Sequence, residues 1–206
     1  MADDTLALAD ALGINRFHVA GISMGGMITQ ILATRAPQRV LSLTTIMSSA
    51  GNNTAPRPAP SVLMKSLRRP RKNADVKALE RHFFELFKLI GVLGEDEYEL
   101  APLRERLAHT VRRAYNPAGT SRQLLAIMAS ADRSREVRRI AVPTLIIHGL
   151  QDPLVRVGAA HRLAELIPHA RLEIIDPMGH YLPLRQIEHL AQLCLAHLRN
   201  ATPEHA

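Results

Sequence analysis

The stretch Phe17-His-Val-Ala-Gly-Ile-Ser-Met-Gly-Gly-Met-Ile-Thr-Gln30 changes its period in the middle. Phe17 to Ile22 is a short, mostly apolar run containing Val and Ile, the composition of a buried strand. From there Met24, Met27, Ile28, Ile31 and Leu32 recur at helical spacing and predict one apolar helix face. Between the two, Gly21-Ile22-Ser23-Met24-Gly25 is a strand-to-helix junction with a serine at its apex. So sharp a turn strains the serine backbone, and glycines at 21 and 25 are expected to remove side chains that would crowd it. The turn lifts the Ser23 hydroxyl clear of the sheet and aims the first helical N–H groups at whatever that hydroxyl attacks. G-x-S-x-G arises by chance in roughly one chain of this length in fifteen. The strand before it and the amphipathic helix after it are the context that gives it meaning. A dinucleotide site is disfavoured: the glycines at 21, 25 and 26 do not form G-x-G-x-x-G, and no acidic residue about 20 positions on closes a second strand.

Outward from this junction, the N-terminal side predicts a helix capped by Asp3 or Asp4, running to Leu12 with Leu8, Ala11 and Leu12 on one face and Gly13 as its stop. On the C-terminal side the junction helix ends near Ala36-Pro37, and Val40 to Met47 reads as a second strand. Ser48 to Asn53 is a loop signal, and Pro56, Pro58 and Pro60 make a stiff linker. Residues 61–131 are helical in pattern throughout. Leu79, Phe83, Leu86, Phe87 and Ile90 form one stripe, Leu103, Leu107 and Val111 another, and Leu124, Ile127 and Met128 a third. Strand–helix alternation returns with Thr144 to His148, a helix marked by Ala160, Leu163, Ala164 and Ile167, and a strand from Arg171 to Asp176. A last helix carries Ile187, Leu190, Ala191, Cys194, Leu195 and Leu198 on one face. Strands separated by helices make a parallel sheet, with its binding edge in the loops that follow the strands. The organisation expected is a core over 1–51 and 142–206, with a helical lid inserted over 52–141.

Composition bounds what such a chain can do. Its 206 residues, 47% of them hydrophobic, suffice for one core with an insertion. No run of 18 or more apolar residues offers a membrane span. The N-terminal Met-Ala-Asp-Asp is acidic where a secretory signal is basic and then apolar, which reads as cytoplasmic. The lone Cys194 excludes an internal disulfide and reads as a small buried hydrophobe. Net charge is +7, with basic clusters at Lys65–Lys72, Arg104–Arg113 and Arg133–Arg139. These alternate with acidic residues on helix faces, and aromatics are only 3% with no Trp to stack on bases. A solvated arginine-rich surface is expected, and no nucleic-acid partner.

Three chemistry-bearing residues fall in loops after strands: Ser23, Asp152 in Gly149-Leu-Gln-Asp-Pro153, and His180 in Pro177-Met-Gly-His-Tyr181. A serine hydroxyl is a poor nucleophile until a base takes its proton, and that base must be held in one tautomer by a carboxylate. Asp152 is the better acid: the loop after Val40–Met47 offers no carboxylate, and Asp176 lies too near His180 in sequence. His148, inside a strand end, and His18, within the strand before Ser23, read as structural. Gly-Ile-Ser-Met-Gly-Gly at 21–26, His-Gly-Leu-Gln-Asp-Pro at 148–153 and Met-Gly-His at 178–180 resemble the α/β-hydrolase superfamily over nearly all of the chain. Ser, Asp and His also stand in that architecture's chain order. Tyr115-Asn-Pro-Ala-Gly119 with Ile46-Met-Ser-Ser49 is similar to its aclacinomycin methylesterase-like branch. The resemblance implies a partial α/β-hydrolase fold, a parallel sheet of about four strands with a helical lid. It also implies a carboxylic ester hydrolase needing no cofactor and no metal, acting on a small-molecule ester. Ser23 would be the nucleophile, His180 the general base and acid, Asp152 its orienting carboxylate, and the Met24 N–H one oxyanion-hole donor.

One departure stands out. Members of the superfamily carry about four strands and a helix before the helix that opens this chain, and the second oxyanion donor belongs to that part. The expectation is a truncated form with reduced or no activity alone, since losing one such donor costs 10²–10³-fold in rate. The strand before Ser23 would then be an apolar edge able to pair with another chain. Other chemistries of the same fold (lactone, C–C bond or cofactor-free haloperoxidase) and a non-catalytic interaction module stand as alternatives. Dehalogenase and epoxide-hydrolase types, which resemble families with Asp at the junction, are disfavoured by Ser23.

Overall fold

Four runs rich in β-branched residues find one another as a parallel sheet. In the computed structural model, which describes residues 1–51, 58–67 and 75–202, the strands are β1 (Phe17–Ile22), β2 (Val40–Ile46), β3 (Thr144–Gly149) and β4 (Arg171–Ile175). Their order is β1-β2-β3-β4 and all three pairings are parallel. Helices make the crossovers: α2 (Met24–Arg35) joins β1 to β2, and α8 (Gly158–Leu166) joins β3 to β4. α1 (Ala2–Ala11) precedes the sheet and α9 (Leu184–Ala201) follows it. Between β2 and β3 lie α3 (Pro60–Leu67), α4 (Val76–Gly91), α5 (Glu97–Ala114), α6 (Pro117–Ala129) and the short α7 (Ser134–Val137). Residues 56 and 68–72, parts of the proline linker and of the first basic cluster, lie outside the described residues. Pro60 is the first residue of α3, where a missing N–H costs nothing.

Both faces of the sheet are covered, which is why β3 is buried at every residue. Leu43 and Ile146 face α2 and α8 in one cluster with Leu32, Ala33, Ala160 and Leu163. Leu145, Ile147 and Ile175 face the other way and pack with Leu190 and Leu193 of α9. A third cluster, Leu100, Leu103 and Leu107 of α5 with Leu93, takes in Tyr181 from the loop after β4. The helical insertion is thereby anchored to the segment that carries His180.

Several expected faces are turned. α1 is not capped by Asp3 or Asp4: its N-cap is Met1, without a side-chain cap bond. It buries Ala2 and Ala9, while Leu8 and Leu12 stay 59% and 64% exposed. They line a groove of about 410 Å³ with Ile14, Val19 and Ile28 beside β1, which among the described residues pairs with β2 alone. The periodicity was apolar because it faces this groove, not the core. α2 likewise buries Gly26, Thr29, Gln30, Leu32 and Ala33, leaving Met24, Met27, Ile28 and Ile31 half-buried. A Cβ on Gly26 would stand 2.6 Å from Thr45 Oγ1 and Ser48 Cβ, so contact with β2 selects the small face. α9 buries Leu190, Leu193 and His197, with Ile187 and Leu195 exposed. His197 turns inward because its Nε2 donates to the Leu43 carbonyl at 3.2 Å. No residue of α6 is buried, and Leu124 and Met128 are exposed.

Candidate active site

The three loops of interest leave the C-terminal ends of β1, β3 and β4, which parallel pairing puts on one edge of the sheet. Ser23 sits between β1 and α2 with φ 53 and ψ −117, a conformation that costs a non-glycine residue on the order of 1–3 kcal/mol. The surroundings hold it there. Ser23 N–H donates to the Ile46 carbonyl at 2.8 Å, and the Ser48 hydroxyl donates to the Ser23 carbonyl at 2.8 Å. Gly21 is required, because a Cβ there would overlap the Gly25 backbone. Gly25 is not: a Cβ on it meets nothing within 4 Å. The second glycine the turn needs is therefore Gly26, against β2, rather than Gly25.

Asp152 and His180 meet directly. His180 Nδ1 donates to Asp152 Oδ2 at 2.7 Å, since a carboxylate oxygen can only accept. That fixes the tautomer and leaves His180 Nε2 bare. The other carboxylate oxygen, Oδ1, accepts the N–H groups of Leu154 and Val155 at 2.9 and 2.8 Å. The Asp152 side chain is fully buried, so these three donors take the place of water. The two loops also bond to each other: Leu150 N–H donates to the Ile175 carbonyl at 2.9 Å and Gln151 N–H to the Met178 carbonyl at 3.0 Å. A Cβ on Gly149 would run into the Met178 and Gly179 backbone. The seam admits no side chain at that position. Asp176 lies outside this arrangement, accepting from Gln151 Nε2 at 2.9 Å on the exposed side.

A second imidazole stands behind the pair. His148, completely buried, donates from Nε2 to the Val155 carbonyl at 2.6 Å, and the same nitrogen is 3.5 Å from Asp152 Oδ2. Its Nδ1 is buried without a hydrogen-bond partner. Desolvation holds the His148 pKa below its ordinary value, outweighing the opposing pull of the Val155 bond and the Asp152 charge. His148 reads from sequence as structural, and its burial and its bond to the Val155 carbonyl agree with that. His18 is structural, bonding Ser42 Oγ through Nδ1 at 2.7 Å. Among the described residues no group of three or more His, Cys, Asp or Glu side chains could hold a metal ion, and no described helix is long and apolar enough to cross a membrane.

The basic clusters are used in two different ways. Arg104 and Arg112 pair with Glu97 and Glu80 on exposed surface. Arg133 is instead 7% exposed, contrary to a solvated surface reading. It donates to Ser130 Oγ at 2.7 Å and to the Ser49 carbonyl at 3.0 Å, tying the loop after β2 to the end of the helical insertion. Cys194 is half-buried on α9, and burial pushes its thiol pKa up.

A family model described as alpha/beta hydrolase fold matches residues 1–185. The chain belongs to the α/β-hydrolase fold family. This α/β-hydrolase is 33% identical to the rhodomycin D methylesterase DauP of Streptomyces sp. (strain C5), over 98% of its own length and 73% of that protein. It is 27% identical to a 2-hydroxymuconate semialdehyde hydrolase of Pseudomonas putida, over 99% of its length and 70% of the relative's. Among solved structures, the meta-cleavage product hydrolase CumD of Pseudomonas fluorescens IP01 superposes with a TM-score of 0.73 at 20% identity. That match covers 98% of this chain and 71% of the other. The four parallel strands with helices on both faces agree with membership of that family.

Proposed function

We propose that this α/β-hydrolase is a carboxylic ester hydrolase acting on a small-molecule ester through an acyl-enzyme, with Ser23 as nucleophile. His180 Nε2 takes the Ser23 hydroxyl proton as Oγ adds to the ester carbonyl carbon. The oxyanion so formed receives the Met24 N–H, the first of helix α2. Collapse breaks the C–O bond to the alcohol, which leaves with the proton returned by His180. Water then attacks the acyl-serine with His180 again as base, releasing the acid and restoring Ser23. Asp152 keeps the proton on Nδ1 throughout and stabilises the transient imidazolium. The observation that carries this reading is the 2.7 Å bond from His180 Nδ1 to buried Asp152, because it prepares Nε2 for one task only. Identities of 33% and 32% to two rhodomycin D methylesterases favour an ester as the bond broken.

In this reading residues 52–141 act as a lid, supported by the place of the described helices α3 to α7 between β2 and β3 and by the hold of α4 and α5 on the His180 loop. One oxyanion donor, Met24 N–H, is assigned among the described residues, so turnover is expected to be slow. The edge of β1, unpaired among the described residues, and its apolar groove are read as a surface that pairs with another chain. A second reading, hydrolysis of a C–C bond by the same three side chains, is favoured by the identity to 2-hydroxymuconate semialdehyde hydrolase.

The test is labelling by a fluorophosphonate, together with a short-chain p-nitrophenyl ester assay, on the chain and on Ser23→Ala. Covalent modification at Ser23 and ester turnover that both vanish in Ser23→Ala are expected. Turnover that survives the substitution removes Ser23 from the mechanism.

A further inference from the structure

His180 is held at its ring by the core and at its backbone by the helical insertion. Its N–H donates to the Ile90 carbonyl at the end of α4 at 2.7 Å. The preceding Gly179 lies so close to that end that an added Cβ would be 2.5 Å from the Ile90 carbonyl oxygen. The next residue, Tyr181, is buried, with its hydroxyl accepting from Arg106 of α5 and its ring beneath the same guanidinium at 5.3 Å.

The strongest of these ties comes from a carboxylate no sequence pattern singled out. Glu99, in the first turn of α5, is only 4% exposed. Its Oε2 accepts the Leu184 N–H at 2.8 Å and its Oε1 accepts the Arg185 N–H at 2.9 Å. These are the first two residues of α9, whose N-cap, Pro183, supplies no side-chain cap bond. The first N–H groups of a helix have no partner within it, and here another helix's glutamate provides one. The charge suits the place, because the carboxylate sits at the positive ends of both α5 and α9. Arg185 adds a weaker, exposed tie through Nε to Asp96 Oδ2 at 2.7 Å.

We propose that Glu99 is a positioning residue for His180: by capping α9 from the helical insertion, it fixes the backbone four residues beyond the imidazole and so keeps Nδ1 on Asp152. The proposal rests on the assignment of His180 as base, but its geometry does not depend on turnover. Without Glu99 the start of α9 is free to move, and a displacement of about 1 Å at a reacting group can cost as much as 100-fold in rate.

The test compares the full chain with E99Q and with L184P. The first keeps the shape of Glu99 but turns an amide donor toward one of the two N–H groups. The second deletes the N–H that Oε2 accepts, at a helix position proline tolerates, where Pro183 already has the extended backbone (φ −67, ψ 141) a following proline requires. The readouts are the His180 Nδ1–H proton resonance and the rate of Ser23 labelling by a fluorophosphonate, with circular dichroism confirming the fold. In both variants the resonance is expected to broaden or shift toward that of an unbonded imidazole, and labelling to slow by about 10- to 100-fold. E99D, which retains a carboxylate, is expected to recover part of each. A folded E99Q or L184P with the wild-type resonance and labelling rate overturns the proposal. A wild-type chain that takes no fluorophosphonate counts against Ser23 as nucleophile, and the resonance comparison still decides the role of Glu99.

Discussion

His148 Nε2 lies 3.5 Å from Asp152 Oδ2, the oxygen that His180 Nδ1 bonds at 2.7 Å. Two imidazoles thus flank one carboxylate, and they are told apart by what their remaining nitrogens do. His148 spends its proton on the Val155 carbonyl and buries its other nitrogen. His180 spends its proton on Asp152, which leaves Nε2 as the unprotonated nitrogen.

Asp152→Asn tests that division. An amide can present its NH₂ to His180 Nδ1, which would draw the proton to Nε2 and leave the base already protonated. With size and burial preserved, kcat for a p-nitrophenyl ester is expected to fall about 10⁴-fold, with little change in the urea midpoint. A loss below tenfold would mean that Asp152 does not set the tautomer.

The second prediction concerns acid stability. Burial holds the His148 pKa below its ordinary value of 6.5 in the folded chain, and burial lowers that of His197 as well. As pH falls below about 6.5 the unfolded chain binds protons that the folded chain refuses, so stability falls with pH. The contribution is fully present above the unfolded value and is lost as pH drops toward the depressed folded value. Urea midpoints measured between about pH 7.5 and about pH 5.5 should decline, and His148→Asn should flatten the decline even though it lowers the midpoint at neutral pH. An unaltered slope in that variant would assign the proton uptake elsewhere.

The turn at Ser23 separates two glycines that look alike in sequence. Gly21→Ala drives a methyl into the Gly25 backbone, and a destabilisation of about 3 kcal/mol is expected. Gly25→Ala places its methyl in open space and is expected to change stability by no more than about 1 kcal/mol, on the favourable side. Chemical denaturation of the two variants side by side checks the difference.

The groove beside β1 offers a fourth. Leu8 and Leu12 line it and are largely exposed, next to a strand that among the described residues pairs on one side only. If that edge pairs with another chain, Leu8→Lys with Leu12→Lys should shift the protein toward a smaller species in size-exclusion chromatography with light scattering. Unchanged elution would place any association on another surface.

Periodicity and turn chemistry were enough to locate the four strands among the described residues, because apolar β-branched runs bounded by turn residues have few other solutions. They also put Ser23, Asp152 and His180 after three of those strands, since a loop's position along the chain is a local property. Burial faces were less legible. Leu8, Leu12, Ile187 and Leu195 follow helical spacing yet stand exposed, whereas Gly26, Gln30 and His197 face inward. Which face a helix buries depends on how closely its neighbour approaches and which carbonyl needs a donor, and neither is written within one helix. The bond between Asp152 and His180 joins loops 28 residues apart in sequence, and the Glu99 contacts span 85 and 86 residues. Spacing alone cannot bring such groups within 3 Å. Only the packing of β3 against β4 sets the Asp152 carboxylate on the His180 imidazole, and only that of α5 against the start of α9 sets Glu99 on its first N–H groups.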